Sequence, residues 1–259
     1  VRAVPPSGIR RFFDILATMD DVISLGVGEP DFDTPRQIVE AGVEALRDGR
    51  THYTSNYGTL ELRRVLAAHL ERRYEVGYDP ATEILITVGA SEALDLALRA
   101  TCDPGDEVVL HEPSYVAYIP AIVFAGGVPR LVPTRFEDDF ALDPAAVEAV
   151  ITPRTKALYL GSPSNPTGAV LPPHVQDELA RIAVRHDLLV YSDEIYDRLA
   201  YGDYRHRAMS SLPGMRERTI LMGGFSKAYA MTGWRVGWLA APAGVLDGIV
   251  KVLQYGIMS

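Results

Sequence analysis

The chain has 259 residues, 47% of them hydrophobic and 23% charged, with a net charge of −9. That balance is typical of a globular protein and argues against the basic footprint of a nucleic-acid partner; the local pairs Arg63-Arg64 and Arg72-Arg73 read as a solvated face. An uncharged run over residues 115–129 is broken by Pro120 and Gly126-Gly127 and falls short of the ~18 residues of a spanning helix. The single cysteine, Cys102, allows no intramolecular disulfide and suits a reducing, cytoplasmic setting.

The first forty residues read as an accessory lobe. Pro5-Pro6-Ser7-Gly8 is a turn or extended segment, and residues 26–31 form a loop rich in Gly and Pro. Thr34-Pro35 ahead of Ile38, Val39, Ala41 and Val43 predicts a capped helix with Pro at its first position. From residue 84 onward, short apolar runs alternate with helical periods. Strands are predicted over 84–88, 107–111, 128–132, 156–161, 188–192, 219–223 and 236–240, and helices over 91–100 and 175–186. Strands separated by helices imply βαβ crossovers. The fold class is therefore α/β, a mostly parallel seven-stranded sheet covered by helices, with an accessory lobe that the resemblance named below makes a partial small domain. In such sheets ligands bind beyond the carboxyl ends of the strands.

Each strand end carries a candidate. Gly89-Ala90-Ser91 opens a helix whose free N–H groups suit a phosphate, or is a capped turn with no ligand. Tyr115 is a plate for a flat ring or a core residue. Asn165, between Pro163 and Pro166, is an aimed amide or an Asn-Pro turn. Asp193 ends an apolar strand, where an acid is costly without a partner, with Tyr196 close behind; the alternative is a helix N-cap. Lys227 sits among small and apolar residues, where desolvation lowers its pKa and frees a nucleophilic amine, or it is a solvated surface lysine. Arg235 precedes the last strand and can pair bidentately with a phosphate. Together these are the parts a pyridoxal-phosphate site needs.

The segments PPSGIRRFFDI, LGVGEPDFDTP, HYTSNYGTLELR, GASEAL, SPSNPTGAV, SDEIYDRLAY and GFSKAYAMTGWRVGW follow one another along nearly the whole chain. In them the sequence resembles the fold-type I pyridoxal-phosphate aminotransferases of class I/II, and within these the aspartate/aromatic group of bacteria and archaea. The resemblance implies a pyridoxal 5'-phosphate cofactor, with Lys227, Asp193 and Tyr196 as catalytic residues and no metal. Lys227 is implied to be the Schiff-base lysine and proton shuttle, and Asp193 the partner of the pyridine nitrogen. Asn165 and Tyr196 are implied to bind the phenolic oxygen, with Asn165 also reaching the substrate carboxylate. Tyr115 is implied to stack on the ring, and Ala90, Ser91, Ser226 and Arg235 to hold the phosphate. Tyr53 is implied to reach the phosphate of a neighbouring subunit, which makes the site a property of a homodimer. Gly28 and Ile9 are implied to lie against the substrate. Gly224 stands where some relatives have a phosphate-binding Ser, one donor fewer.

The implied activity moves an amino group from an L-amino acid to a 2-oxo acid, with 2-oxoglutarate as acceptor, by a ping-pong Schiff-base route. A β-lyase on the same scaffold, or a non-catalytic cofactor-binding regulator or fragment, is the alternative. The resemblance also implies that residues 1–40 begin the small domain and 41–259 form the large one. The C-terminal part of the small domain, with the Arg that clamps the substrate α-carboxylate, is expected to lie beyond this sequence. No nucleic acid or membrane partner is expected.

Overall fold

The computed structural model describes residues 28–257 and, before them, Val4, Pro5, Ile15, Thr18, Met19 and Gly26. Ile9 lies outside the described residues. Seven strands form one sheet: β1 (Ile84–Thr87), β2 (Glu107–Glu112), β3 (Val128–Pro133), β4 (Thr155–Gly161), β5 (Leu189–Asp193), β6 (Thr219–Gly224) and β7 (Gly237–Ala240). Their order across the sheet is β1-β7-β6-β5-β4-β2-β3. All pairs are parallel except those of β7, which runs antiparallel to both β1 and β6.

The helices are α1 (Arg36–Arg47), α2 (Leu60–Tyr74), α3 (Gly89–Thr101), α4 (Tyr118–Phe124), α5 (Pro144–Ala149), α6 (Pro173–Arg185) and α7 (Ala243–Gly256). Local chemistry sets several of their ends. Thr59 Oγ1 accepts from Leu62 N at the start of α2, and Glu75 ends that helix in the left-handed region. Asp143 caps α5 by accepting from Ala145 N, with Pro144 inside the first turn. The helix predicted after Thr34-Pro35 forms, but it begins at Arg36 with Pro35 as its N-cap and no side-chain cap. The Thr34 hydroxyl bonds instead to Ala230 O and accepts from Trp234 Nε1 at 3.1 Å.

Side chains of the central strands alternate between two cores, as the two-residue strand period requires. Val108 and Leu110 of β2, Tyr159 of β4 and Tyr191 of β5 face α3, α4 and α7. Val109, Leu158, Leu160 and Val190 face α5 and α6. Each fully buried Leu or Ile, such as Leu98, Ile122 or Leu179, contributes about 2 kcal/mol relative to exposure. α2 packs on the β1–β7 side through Leu66 and Leu70 against Ile84 and Ala240.

This topology fixes where a ligand fits. The connection from β2 runs through α4 on one face, and the connection from β4 runs through α6 on the other. β2 and β4 are neighbours, so the chain departs from them in opposite directions and leaves a crevice at their carboxyl ends.

Candidate active site

A cavity of about 720 Å³ occupies this crevice. It is lined by residues that follow β1, β2, β4, β5 and β6, together with Gly26 and Gly28 from the front of the chain. Of the sequence-predicted residues, Gly28, Ala90, Ser91, Tyr115, Asn165, Asp193, Tyr196, Ser226, Lys227 and Arg235 all line it. Tyr53 does not; it is 77% exposed.

Lys227 lies on the turn after β6, half-buried, and its Nζ donates to Gly28 O at 2.6 Å. Burial lowers its pKa; Glu29 opposes that shift, and Arg235 adds to it. A cation nearby and a poorly solvated amine are the conditions under which a lysine becomes a nucleophile.

Asp193 ends β5 and is 9% exposed. Burial pushes its carboxyl pKa up. Two hydrogen bonds oppose this: Tyr118 Oη donates to Oδ2 at 2.9 Å, and Ile195 N donates to Oδ1 at 3.2 Å. The second bond is the local Asx contact that an N-cap would make, but the segment beyond β5 turns without starting a helix. Asn165 Nδ2 donates to Tyr196 Oη at 3.4 Å, a long contact. It joins the β4 and β5 loops. Burial raises the Tyr196 pKa, and the Asn165 contact lowers it.

Two glycines lie against Arg235 and Ala90, which line the cavity. Gly89 takes φ +73, and a Cβ there would sit 3.0 Å from Arg235 Cζ. A Cβ on Gly237 would sit 2.5 Å from Ala90 N. Their bareness lets β7 press on the first turn of α3 and brings the Arg235 guanidinium to that helix start, beside Ser91. Arg235 itself adopts φ 54 and donates from Nη1 to Thr232 O at 2.8 Å. A guanidinium, a hydroxyl and free helix N–H groups together suit a phosphate-like anion.

Sequence reading missed Tyr118, Ser164 and Thr232, which also line the cavity. Tyr118 lies three residues after Tyr115, within one helical turn, and that spacing was the only available signal. Among the described residues no group of three or more His, Cys, Asp or Glu is placed to hold a metal.

A doubly covered α/β sheet with a lysine, an acid and an anion cradle at its carboxyl edge defines a class of cofactor enzyme scaffolds. Residues 20–259 match the family model described as aminotransferase class I and II. The chain belongs to that family. It is 48% identical to an aspartate aminotransferase of Pyrococcus abyssi over 97% of this chain and 65% of that protein. It is 45% identical to aromatic-amino-acid aminotransferase 2 of Thermococcus litoralis, over 97% and 65%. Among solved structures, the aspartate aminotransferase of Thermus thermophilus with maleate superposes with a TM-score of 0.93 at 40% identity, covering 98% of this chain and 66% of that one. The chain thus spans about two thirds of the length of these relatives.

Proposed function

We propose that the chain is the cofactor-binding part of a pyridoxal-phosphate aminotransferase that moves the amino group of an L-amino acid to a 2-oxo acid, with 2-oxoglutarate as acceptor, in two half-reactions. The observation that carries this reading is the meeting, in one cavity, of a lysine whose pKa burial lowers, a buried acid and an arginine at a helix start. The relatives' names cover both an acidic and an aromatic class of amino acid, which supports an amino-acid donor.

The residues fit the cofactor. Asp193 is a buried carboxylate with no Lys, Arg or His of the described residues at ion-pair distance, and a protonated pyridine ring answers that need. The cradle of Ala90, Ser91, Ser226 and Arg235 fits its phosphate, Asn165 and Tyr196 its phenolic oxygen, and Tyr115 its ring face. When bound, pyridoxal phosphate supplies an aldehyde for the amino group and a ring that acts as an electron sink.

The protein's own part is as follows. Lys227 would hold the cofactor through its Nζ and would move the proton at the substrate Cα. Asp193 keeps the ring nitrogen protonated. Asn165 and Tyr196 would orient the phenolic edge, and Asn165 and Gly28 would receive the substrate carboxylate. Residues 1–40 belong to a small domain and those from 41 onward to the large one, with α1 spanning the junction. Tyr53 reaches the neighbouring site in a cytoplasmic homodimer; its exposure suits that role.

The test is covalent. After incubation with pyridoxal phosphate and reduction with borohydride, peptide mapping is expected to find the cofactor on Lys227. Lys227→Ala is expected to trap nothing, and an adduct in that variant would overturn the reading.

A further inference from the structure

We propose that Tyr118 is a positioning residue whose hydroxyl sets the orientation of the Asp193 carboxylate within the cavity, where the cofactor's ring nitrogen would meet it. The inference rests on the pyridoxal-phosphate reading of the site.

The geometry is that of a clamp. Asp193 is gripped at both oxygens, by Tyr118 Oη on Oδ2 at 2.9 Å and by Ile195 N on Oδ1 at 3.2 Å. The backbone amide belongs to the same loop as the acid, so of the two donors only Tyr118 ties the Asp193 carboxylate to a different element. Tyr118 is itself immobilised. It is 5% exposed, its ring lies 4.1 Å from that of Tyr159, and the Tyr115 ring meets its edge at 5.5 Å. Its backbone N donates to Tyr115 O at 3.0 Å, which ties the start of α4 to the ring-stacking residue.

Space for the hydroxyl is provided by a neighbouring strand. A Cβ on Gly161, the last residue of β4, would stand 2.9 Å from Tyr118 Oη. The glycine there has φ in the ordinary range, so its bareness serves the phenol rather than the backbone.

The donor's chemistry also matters. Tyr159, Tyr196 and Glu194 face Asp193 along with Tyr118, and none of them is a cation. Burial raises the Tyr118 pKa well above the ordinary phenol value, so it stays a neutral donor. An Arg or Lys in its place would neutralise the carboxylate. A phenol orients it and leaves its negative charge for the ligand.

The experiment uses the full chain and pyridoxal phosphate itself. Binding is followed by absorbance, and the bound cofactor's absorbance is titrated with pH. Tyr118→Phe is expected to bind about tenfold more weakly, the scale of one hydrogen bond to a charged group, and to show a displaced titration midpoint. Gly161→Ala keeps the phenol but pushes its hydroxyl aside, and is expected to move both readouts in the same direction. In an Asp193→Asn background, Tyr118→Phe is expected to add little further loss. Wild-type affinity and midpoint in Tyr118→Phe would overturn the proposal, as would a lower melting temperature with an unmoved midpoint. Failure of the wild-type chain to bind pyridoxal phosphate would instead overturn the reading of the cavity, and the inference with it.

Discussion

Asp193 is held by a phenol and an amide, and burial raises its pKa. Its charge therefore depends on the burial and hydrogen bonds around it. Asp193→Ala leaves Lys227 and the Arg235 cradle in place, so the variant is expected to retain bound cofactor. Amino-group transfer in a single half-reaction is expected to fall by about a hundredfold or more, because ring protonation is lost; stopped-flow spectroscopy of the half-reaction checks this. At this scale the sequence was informative wherever the chemistry lay just beyond a strand. Lys227, Asp193, Asn165, Ser91 and Arg235 were each identifiable from the apolar run before or after them, and all five line the cavity. Tyr118 was not identifiable. Whether a tyrosine in an apolar helix start points its hydroxyl at an acid depends on the missing side chain of Gly161, a residue of a different strand.

Among the elements, β7 is the strand on which the anion cradle depends. It fills the gap between β1 and β6, and Gly237 lets it touch the Gly89–Ala90 backbone. That neighbour is main chain and cannot rotate away. Gly237→Ala is expected to destabilise the chain by about 1–3 kcal/mol, the usual range for overpacking, and to weaken phosphate-dependent cofactor binding as Arg235 is displaced. Urea unfolding and a cofactor titration read the two effects separately. Strand existence was legible because buried parallel strands are near-continuous apolar runs; each predicted strand lies within a residue or two of an observed one. The order of the strands and the reversed direction of β7 were not legible, because both follow from packing between segments far apart in sequence. The start of α1 was misplaced by one position, since Pro35 fits the N-cap and the Thr34 hydroxyl is recruited by Ala230 and Trp234.

The molecule as a whole separates its chemistry from a structural charge cluster at the other end of the sheet. Glu107, at the amino end of β2, is 0% exposed and accepts from Arg130 at 2.6 Å, Thr152 at 2.7 Å and Arg154 at 2.9 Å. These bonds hold its pKa down at about 2, against an ordinary 4.5. A carboxylate whose folded pKa is depressed contributes stability above its unfolded value and loses it as pH falls toward the folded one. Melting temperature is therefore expected to drop between pH 4.5 and about 2. Glu107→Gln is expected to be less stable than wild type at neutral pH, with the gap closing toward pH 2; an unchanged gap would show that another group governs the acid limb. At the active end, Lys227 Nζ rests on the carbonyl of Gly28. One oxygen thus joins the front of the chain to a turn 199 residues away. A nitrogen engaged in a covalent bond elsewhere would no longer donate there, which would remove this tie and leave the one from the Thr232 hydroxyl to Glu29 in place. By reciprocity, whatever else claims that carbonyl makes the amine more available. The resting contact is a latch, and under the proposed function its two halves are the two groups a substrate would meet.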